Sequence, residues 1–382
     1  MKAGWSIKPL GEVCAFDKDL GIHKGLPYVG LEHIESHSSR FIGSTEPLPV
    51  KSSTFRFSSE HVLYGRLRPY LNKVFAPDFE GHCSTEIFPI KPRPELVREY
   101  LLYWLIADET CERINATCTG ARMPRAQMNE VMGFDFPLPP LPEQQRIVAI
   151  LDEAFDGIAT AKANAEQNLQ NARALFESHR QSVFTERGEG WVEKRLSDVC
   201  AITSTLVDPR KDEFLDLTHV GAGNIESQTG VFVDLKTAQE EGLISGKFLF
   251  DESMVLYSKI RPYLMKVARP DFNGLCSADM YPLAPLPNEI TRDYLFHLLL
   301  SKPFTDYAIQ GSARAGMPKV NREHLFEFRV WLPGVEKQKE LSEKLDALHA
   351  ETQRLESLYQ QKLTALDDLK KSLLHQAFSS QL

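Results

Sequence analysis

Two long stretches of the chain repeat apolar or small residues at alternating steps of three and four, the seam pattern of helices that pair in a coiled coil. The first predicted helix runs from Glu143 to about Phe184, without proline and with Gly157 as its only glycine. Its seam residues are Ile147, Leu151, Ala154, Ile158, Ala161, Ala165, Ala172 and Leu175. At an offset of 194 from positions 147, 151, 154, 161, 165, 172, 175 and 179 lie Leu341, Leu345, Leu348, Leu355, Tyr359, Leu366, Leu369 and Leu373. The two predicted helices are therefore copies in one register.

The segments that precede the two helices are also copies of each other. Leu63–Pro92 aligns without a gap with Leu256–Pro285, and Trp5–Cys14 aligns with Trp191–Cys200. An internal repeat of this length predicts two related globules, each followed by a long helix. The predicted parts are a first globule at residues 1–142, a central helix at 143–187, a second globule at 188–333 and a C-terminal helix at 334–382.

Each globule is predicted to be α+β, with a curved and mainly antiparallel sheet. Short β-type runs such as Met254–Tyr257 alternate with turn signals, while Glu99–Ile114 and Arg292–Ile309 have the spacing of helices. A helix of about 40 residues is about 60 Å long. An antiparallel pair of such helices is expected to hold the two globules apart in a pseudo-twofold arrangement, which suits a DNA duplex read at successive turns of its major groove.

Composition excludes some classes of protein. The chain is 42% hydrophobic and 25% charged, its first residues lack a signal-peptide apolar segment, and no apolar run approaches the roughly 18 residues of a membrane span. A cytoplasmic protein is expected. Cys14 matches Cys200 and Cys83 matches Cys276 in the repeat, which favours buried packing residues over disulfides or a zinc site.

Catalytic motifs are missing from both copies. The sequence has no Asp/Asn-Pro-Pro-aromatic tetrapeptide, no GxGxxG and no Walker A loop, and the glycine-containing stretch from Gly221 to Glu226 is predicted to be a turn. A nuclease site built on Asp78 and Glu86 is not favoured, because the second copy has Asp279 in place of Glu86 and neither acid is followed by the expected lysine. No catalytic, cofactor or metal residue is predicted.

Three segments carry a family resemblance: the proline-rich strap with the helix start at Pro137–Ala154, its second copy at Leu332–Leu348, and the C-terminal Leu373–Leu382. Together they resemble the specificity subunit of Type I restriction-modification enzymes. The resemblance implies that each globule is a target recognition domain for one half of a gapped, asymmetric DNA site. It implies that the helices space the two halves and dock two methyltransferase subunits. Those partners would bind S-adenosylmethionine and methylate adenine, and restriction subunits, where present, would use ATP.

The net charge of −8 is unusual for a protein that binds DNA. If methyltransferase subunits also enclose the duplex, this chain needs only local basic patches to contact DNA. The first globule is closer to neutral than the whole chain, with 16 basic and 17 acidic side chains in residues 1–140.

Candidate DNA contacts fall into three sets. Basic and tyrosine residues shared by both copies are candidates for phosphate or groove contacts, with solvated strand charges and core tyrosines as the alternative. This first set is Arg66, Arg68, Tyr70 and Lys73 with Lys259, Arg261, Tyr263 and Lys266. The second set is Arg122, Arg125 and Gln127 with Arg314, Lys319, Asn321 and Arg322, in a loop whose diverged residue types can read guanine or adenine. The third set is His37 and Arg40 in a polar loop, with a plain surface hairpin as the alternative.

Other functions stay open at this point. The same module could serve a methylation-only or phage-exclusion methyltransferase, or the chain could be a coiled-coil scaffold that binds only proteins. An enzyme with an unrecognised site is a further alternative. Duplex binding that weakens steeply with salt would separate DNA recognition from the scaffold.

Overall fold

The structure is a computed structural model that describes residues 4–48, 50–120, 122–312 and 318–382. The chain forms two compact units. Unit 1 comprises Met1–Glu166 with Gln360–Leu382, and unit 2 comprises Gln167–Tyr359. Each unit combines one globule with parts of both long helices, so the four-part division of the sequence into separate domains stays a prediction.

The two predicted long helices are confirmed at Leu141–Thr185 (the central helix) and Val335–Phe378 (the C-terminal helix). Pro142 lies in the first turn of the central helix, where its missing N–H leaves no hydrogen bond unmade. In unit 1 the helices run antiparallel, because Arg146 bonds the Leu382 carbonyl at 2.9 Å while Lys162 pairs with Asp367. In unit 2 they pair likewise through Arg173 and Glu356 at 2.6 Å.

Among its described residues, the globule of unit 1 contains ten strands in three sheets. The strands are β1 (Ser6–Pro9), β2 (Cys14–Phe16), β3 (Leu20–Gly21), β4 (Tyr28–Val29), β5 (Thr54–Phe57), β6 (Val62–Gly65), β7 (Val74–Phe75), β8 (Gly81–Cys83), β9 (Ile87–Pro92) and β10 (Asp135–Leu138). The sheets have the orders β2-β9-β6-β7, β3-β5-β8-β4 and β1-β10. All pairs are antiparallel except β4 with β8, which confirms the predicted mainly antiparallel character.

The globule of unit 2 repeats this arrangement. Its strands are β11 (Val192–Arg195), β12 (Cys200–Ala201), β13 (Leu206–Val207), β14 (Thr218–Val220), β15 (Lys236–Thr237), β16 (Lys247–Phe250), β17 (Val255–Ser258), β18 (Val267–Ala268), β19 (Gly274–Ser277), β20 (Met280–Pro285) and β21 (Arg329–Leu332). The sheets have the orders β12-β20-β17-β18, β13-β16-β19-β14-β15 and β11-β21. The additional edge strand β15 distinguishes the second copy, and the parallel pair is β14 with β19.

Each helix that the sequence predicted inside a globule is in fact a pair of helices. In unit 1 the chain turns at the extended residue Ala107, and in unit 2 it turns at Leu300 and Ser301. The apolar spacing continues across both turns because the two helices of a pair pack on one core. The short helices are Leu10–Val13, Arg98–Ile106, Asp108–Ala116 and Met128–Val131 in unit 1, and Arg292–Leu299, Lys302–Gln310 and Arg322–Glu327 in unit 2. The 3₁₀ turns are Leu31–His33, Pro69–Leu71, Leu196–Asp198, Asp212–Phe214, Ala222–Asn224 and Pro262–Leu264.

A buried glutamine at the start of each long helix joins the helix to its own globule. Gln144 accepts a hydrogen bond from Val97 N at 2.8 Å and donates to the carbonyls of Glu95 and Pro139. Gln338 makes the same three bonds to the corresponding backbone groups in unit 2. The second strap lacks the Pro-Glu pair of the first, yet it keeps the residue that makes these bonds.

Cysteines behave as the repeat predicts. All six are free, and Cys14, Cys83, Cys200 and Cys276 are buried. Burial raises the pKa of the Cys14 thiol to about 12, so this thiol stays protonated and packs as a small apolar group. Within the described part of the chain, no helix has both the length and the apolar character to span a membrane.

Candidate nucleic-acid interface

The first candidate set lies on a short exposed turn that is strained in the same way in both globules. Pro69–Leu71 forms a 3₁₀ turn between Arg68 and Asn72, which have φ angles of 52° and 45°. Arg261 and Met265 flank the corresponding turn with φ angles of 49°. A left-handed backbone is uncommon for residues with a side chain, and strain of this kind clusters at functional sites. Two such residues recur around each turn.

The turn buries its proline and exposes its arginine and tyrosine. Tyr70 is 48% exposed and Tyr263 is 51% exposed, so the alternative that placed the two tyrosines in the core is wrong. Arg68 and Arg261 are exposed beside them. A guanidinium and an aromatic ring on one projecting turn are available for phosphate and groove contacts.

The second candidate set lies on a loop that is hydrogen-bonded to this turn. In unit 1, Arg68 N donates to Pro124 O at 2.8 Å and Ala126 N donates to Arg66 O at 3.0 Å. In unit 2, Arg261 N donates to Pro318 O at 2.9 Å, and Val320 N donates to Lys259 O. The structure therefore brings the first two sets together in each globule. We call this surface the recognition edge, comprising residues 66–73 and 122–127 in unit 1 and residues 259–266 and 318–322 in unit 2.

A carboxylate lies at the centre of each recognition edge. Glu86 accepts hydrogen bonds from Arg66 Nε at 3.0 Å and from Arg125 Nη2 at 2.8 Å. Burial raises the pKa of Glu86, but hydrogen bonds from both guanidinium groups outweigh this effect and lower it. In unit 2, Asp279 takes the same place, 3.1 Å from the Lys319 ammonium and 3.8 Å from that of Lys259.

Lys73 and Lys266 of the first set point into their globules. Lys73 Nζ donates to Leu31 O at 2.7 Å and Ile34 O at 2.6 Å, and Lys266 Nζ donates to Ala222 O at 2.6 Å. These ammonium groups hold the 3₁₀ turns Leu31–His33 and Ala222–Asn224, and the first of these turns precedes the third candidate loop. Their sequence pattern resembled that of a phosphate contact, but their position is that of a structural support.

The third candidate loop adjoins the turn. His37 N donates to Asn72 O at 3.2 Å, and Glu35 N donates to Arg40 O at 2.9 Å, so the segment is a small hairpin with exposed His37 and Arg40 side chains. The C-terminal helix contacts it within unit 1, since Lys370 Nζ donates to His37 O at 3.1 Å. Both the hairpin description and a DNA-reading role remain compatible with this placement.

The remaining candidates of the second set differ between the copies. Arg122 is exposed in unit 1, and Gln127 Nε2 donates to Thr119 Oγ1 at 2.5 Å. In unit 2, Arg314 lies outside the described residues, whereas Lys319 and Arg322 are exposed.

Asn321 has a local role that its alignment with Gln127 did not predict. Its side-chain oxygen accepts a bond from His324 N at 2.7 Å and so caps the helix Arg322–Glu327. The amide is therefore only partly available for base recognition.

Sequence reasoning considered Glu86 and Asp279 only as nuclease residues and missed their place at the centre of the edge. A signal was present, because an acidic residue follows the basic residue at position 66 or 259 by 20 positions in both copies. Among the described residues, no group of three or more histidine, cysteine or acidic side chains could hold a metal ion.

Comparisons with known proteins connect this chain to a family. The family of the Type I restriction modification DNA specificity domain matches residues 2–171 and again residues 188–365. The Type I restriction enzyme EcoDI specificity subunit of Escherichia coli is 27% identical over 363 residues, which cover 86% of this chain and 80% of that protein. The MjaVIII specificity subunit of Methanocaldococcus jannaschii is 23% identical over 311 residues, covering 70% and 68%.

Two solved structures share the fold over the whole chain. The HsdS subunit from Thermoanaerobacter tengcongensis aligns with a TM-score of 0.69 at 20% identity, covering 100% of this chain and 98% of that one. A chain from a study of complex assembly and conformational transition of the type I R-M system aligns with a TM-score of 0.79 at 20% identity, covering 100% and 99%. The predicted α+β fold with tandem globules and two long antiparallel helices is thereby confirmed.

Proposed function

This chain belongs to the family of Type I restriction modification DNA specificity domains, and from that premise we propose that it recognises a bipartite, gapped and asymmetric DNA target. Each globule reads one half of the target through its recognition edge. The helices set the distance between the halves. The family's subunits recognise DNA without carrying out chemistry, so the chain directs the activity of its partners.

One observation carries this proposal: the same exposed edge is built twice on the same backbone, with the same arginine and tyrosine on its turn and different exposed side chains on its loop. The shared arginine and tyrosine of the turn suit sequence-independent phosphate contacts, and the diverged loop residues suit base contacts. In unit 1 the proposed contacts are Arg68, Tyr70, Arg122, Arg125 and Gln127, with His37 and Arg40 on the adjoining hairpin. In unit 2 they are Arg261, Tyr263, Lys319 and Arg322, with Asn321 beside them and Arg314 on the same loop of the sequence.

Arg66, Lys73, Lys259 and Lys266 have a supporting role in this proposal. Their side chains bond to acidic residues or backbone carbonyls within their own globules. They thereby fix the loops that carry the contacts.

The partners proposed for the chain are two methyltransferase subunits and, in a restricting system, restriction subunits. The methyltransferases would bind S-adenosylmethionine and methylate adenine, while ATP would be used by the restriction subunits. Sharing the duplex with such partners accounts for a recognition subunit with a net charge of −8.

A genome-wide map of methyladenine in the native host, with and without the gene, tests the proposal. Deletion is expected to erase one two-part motif with an unspecified gap, and exchange of one globule is expected to change one half of that motif. An unchanged map would contradict the proposal and favour a scaffold that binds only proteins.

Salt dependence gives an independent test on the purified complex. A protein that contacts several phosphates loses affinity for DNA steeply as salt rises, by on the order of 1000-fold between 50 and 200 mM for about six contacts. A complex whose duplex binding is absent or indifferent to salt would exclude the recognition role.

A further inference from the structure

Arg125 is held in a fixed orientation on the recognition edge of unit 1. Its Nε and Nη2 donate to the Glu86 carboxylate at 3.0 and 2.8 Å, and its Nη1 donates to Met123 O at 3.3 Å. A guanidinium has five N–H groups in one plane. Three are used by these bonds, so one N–H remains on each of the two Nη nitrogens, at the end of the side chain.

Two parallel N–H groups at the end of an arginine match the O6 and N7 acceptors of guanine in the major groove. The Arg125 side chain is 38% exposed, and it borders an open recess of about 380 Å³ that is also lined by Gln127 and Met123. We propose that Arg125 reads a guanine in the first half-site and that Glu86 is the positioning residue that aims its guanidinium. This inference rests on the proposed function and adds a base identity to it.

The backbone supports the same geometry. Arg66 N donates to Glu86 O at 2.9 Å, and the strand-like pairing of Leu67 with Arg125 places the two arginines on either side of the carboxylate. Arg66 donates from Nε to the second carboxylate oxygen at 3.0 Å. The carboxylate is therefore fixed by its own neighbours before it orients Arg125, and little conformational entropy remains to be lost on binding DNA.

The second globule has the same scaffold with different chemistry. Lys319 and Lys259 replace the two arginines, and Asp279 replaces the glutamate. An ammonium is a point charge without a planar fork, so it lacks the paired donors that select guanine through two bonds. The recognition edges therefore differ in base preference because three positions of a shared frame, occupied by Arg66, Glu86 and Arg125 in unit 1, carry other residues in unit 2.

The test uses the full complex in the native host, with the motif of methylated adenines as the readout. Glu86→Gln keeps the size of the side chain and removes its charge, and Arg125→Lys removes the fork. In both variants, we expect other bases to be accepted at one guanine position of one half-site. The preference for guanine over those bases at this position should fall by between about fivefold and about 100-fold. Asp279→Asn is the matched control, since it changes the same position of the other globule and should leave that guanine fully specified.

Several results would overturn the inference. A motif whose first half-site contains no G·C pair, or that stays fully specified in Glu86→Gln and Arg125→Lys, excludes guanine reading by Arg125. Uniform loss of methylation without any relaxed base, together with a lowered thermal stability of the purified variant, would assign Glu86 a purely structural role. If the wild-type gene determines no motif at all, the proposed function itself fails, and that result is distinct from the two above.

Discussion

The two units attach their globules to the helices at corresponding places but with different chemistry. In unit 1, the Tyr103 hydroxyl donates to Asp152 of the central helix. In unit 2, His297 Nε2 donates to Asp346 of the C-terminal helix at 2.9 Å, and Arg269 bonds both oxygens of the same carboxylate. Both copies therefore have an aspartate at this position, but its partner is a tyrosine hydroxyl in unit 1 and a histidine with an arginine in unit 2.

Burial sets the protonation states of this network. His297 is 2% exposed, and burial lowers its pKa, so the ring is neutral and donates from Nε2. Burial raises the pKa of Asp346, but hydrogen bonds from His297 and Arg269 outweigh it and lower the pKa overall. In unit 1, burial and the neighbouring Asp152 raise the pKa of Tyr103, which therefore stays neutral at any physiological pH. The attachment in unit 2 is therefore expected to depend on pH through His297, whereas Tyr103, its counterpart in unit 1, does not change its charge near neutral pH.

Removal of the acid should show the largest difference between the units. Asp346→Ala leaves Arg269 and His297 without their shared partner, and the free energy of unfolding of unit 2 should fall by about 3 kcal/mol. Asp152→Ala removes one hydrogen bond from a tyrosine and should cost about 1 kcal/mol in unit 1. Hydrogen exchange of peptides from each unit measures the two losses separately. Equal losses would show that the charged network contributes no more than the neutral bond.

The buried glutamines should give equal effects, because their bonds are the same in both units. Gln144→Ala and Gln338→Ala each leave three backbone groups without partners, and each should lower the free energy of unfolding of its own unit by about 2 kcal/mol. Urea unfolding with exchange-based detection provides the measurement. A much smaller loss for Gln338→Ala would indicate that the altered second strap has another way to hold its helix.

Exchange of the histidine for the residue of the other copy should transfer the pH behaviour. The folded pKa of His297 lies below its ordinary value of about 6.5, so the unfolded chain binds more protons between these values, and stability falls as pH falls through about 6.5. His297→Tyr should therefore leave unit 2 about equally stable at pH 8 and more stable than wild type by about 1 kcal/mol at pH 5.5.

Thermal unfolding of both proteins across this pH range checks the effect. His219 and His349, whose pKa values are also lowered by burial, keep part of the pH dependence in the variant. Identical pH profiles for variant and wild type would show that His297 does not contribute to the pH dependence.

The smallest effect is expected where the C-terminal helix contacts the hairpin of unit 1. Lys370→Met removes the bond to the His37 carbonyl while keeping an apolar stem against Phe155, whose ring centroid lies 5.2 Å from the ammonium. Stability should change by less than about 1 kcal/mol. Amides of residues 35–40 should exchange a few times faster. In unit 2 the corresponding residue is Phe176, so Phe176→Leu is the matched control and should leave the exchange of this hairpin unchanged.

The sequence alone determined the features that depend on local periodicity and on repetition. The seam steps gave the central helix to within about two residues of its ends, since helical spacing is a property of neighbouring positions. They also gave the start of the C-terminal helix to within one residue, whereas its predicted end at 382 lies four residues beyond Phe378. The gapless match of Leu63–Pro92 with Leu256–Pro285 established two globules of one fold. The arginine and tyrosine shared by both copies also marked one turn, which has the same backbone form in both units.

The tertiary structure decided which of those residues reach solvent. Lys73 and Arg68 are five positions apart and both basic, yet the left-handed backbone at Arg68 turns one outward while two carbonyls draw the other inward. Glu86 reached the centre of the recognition edge only because β9 and the turn lie side by side in the fold. The direction of a side chain depends on the path of the backbone and on partners far away in sequence. Neither the backbone path nor such distant partners can be read from residue types and their spacing.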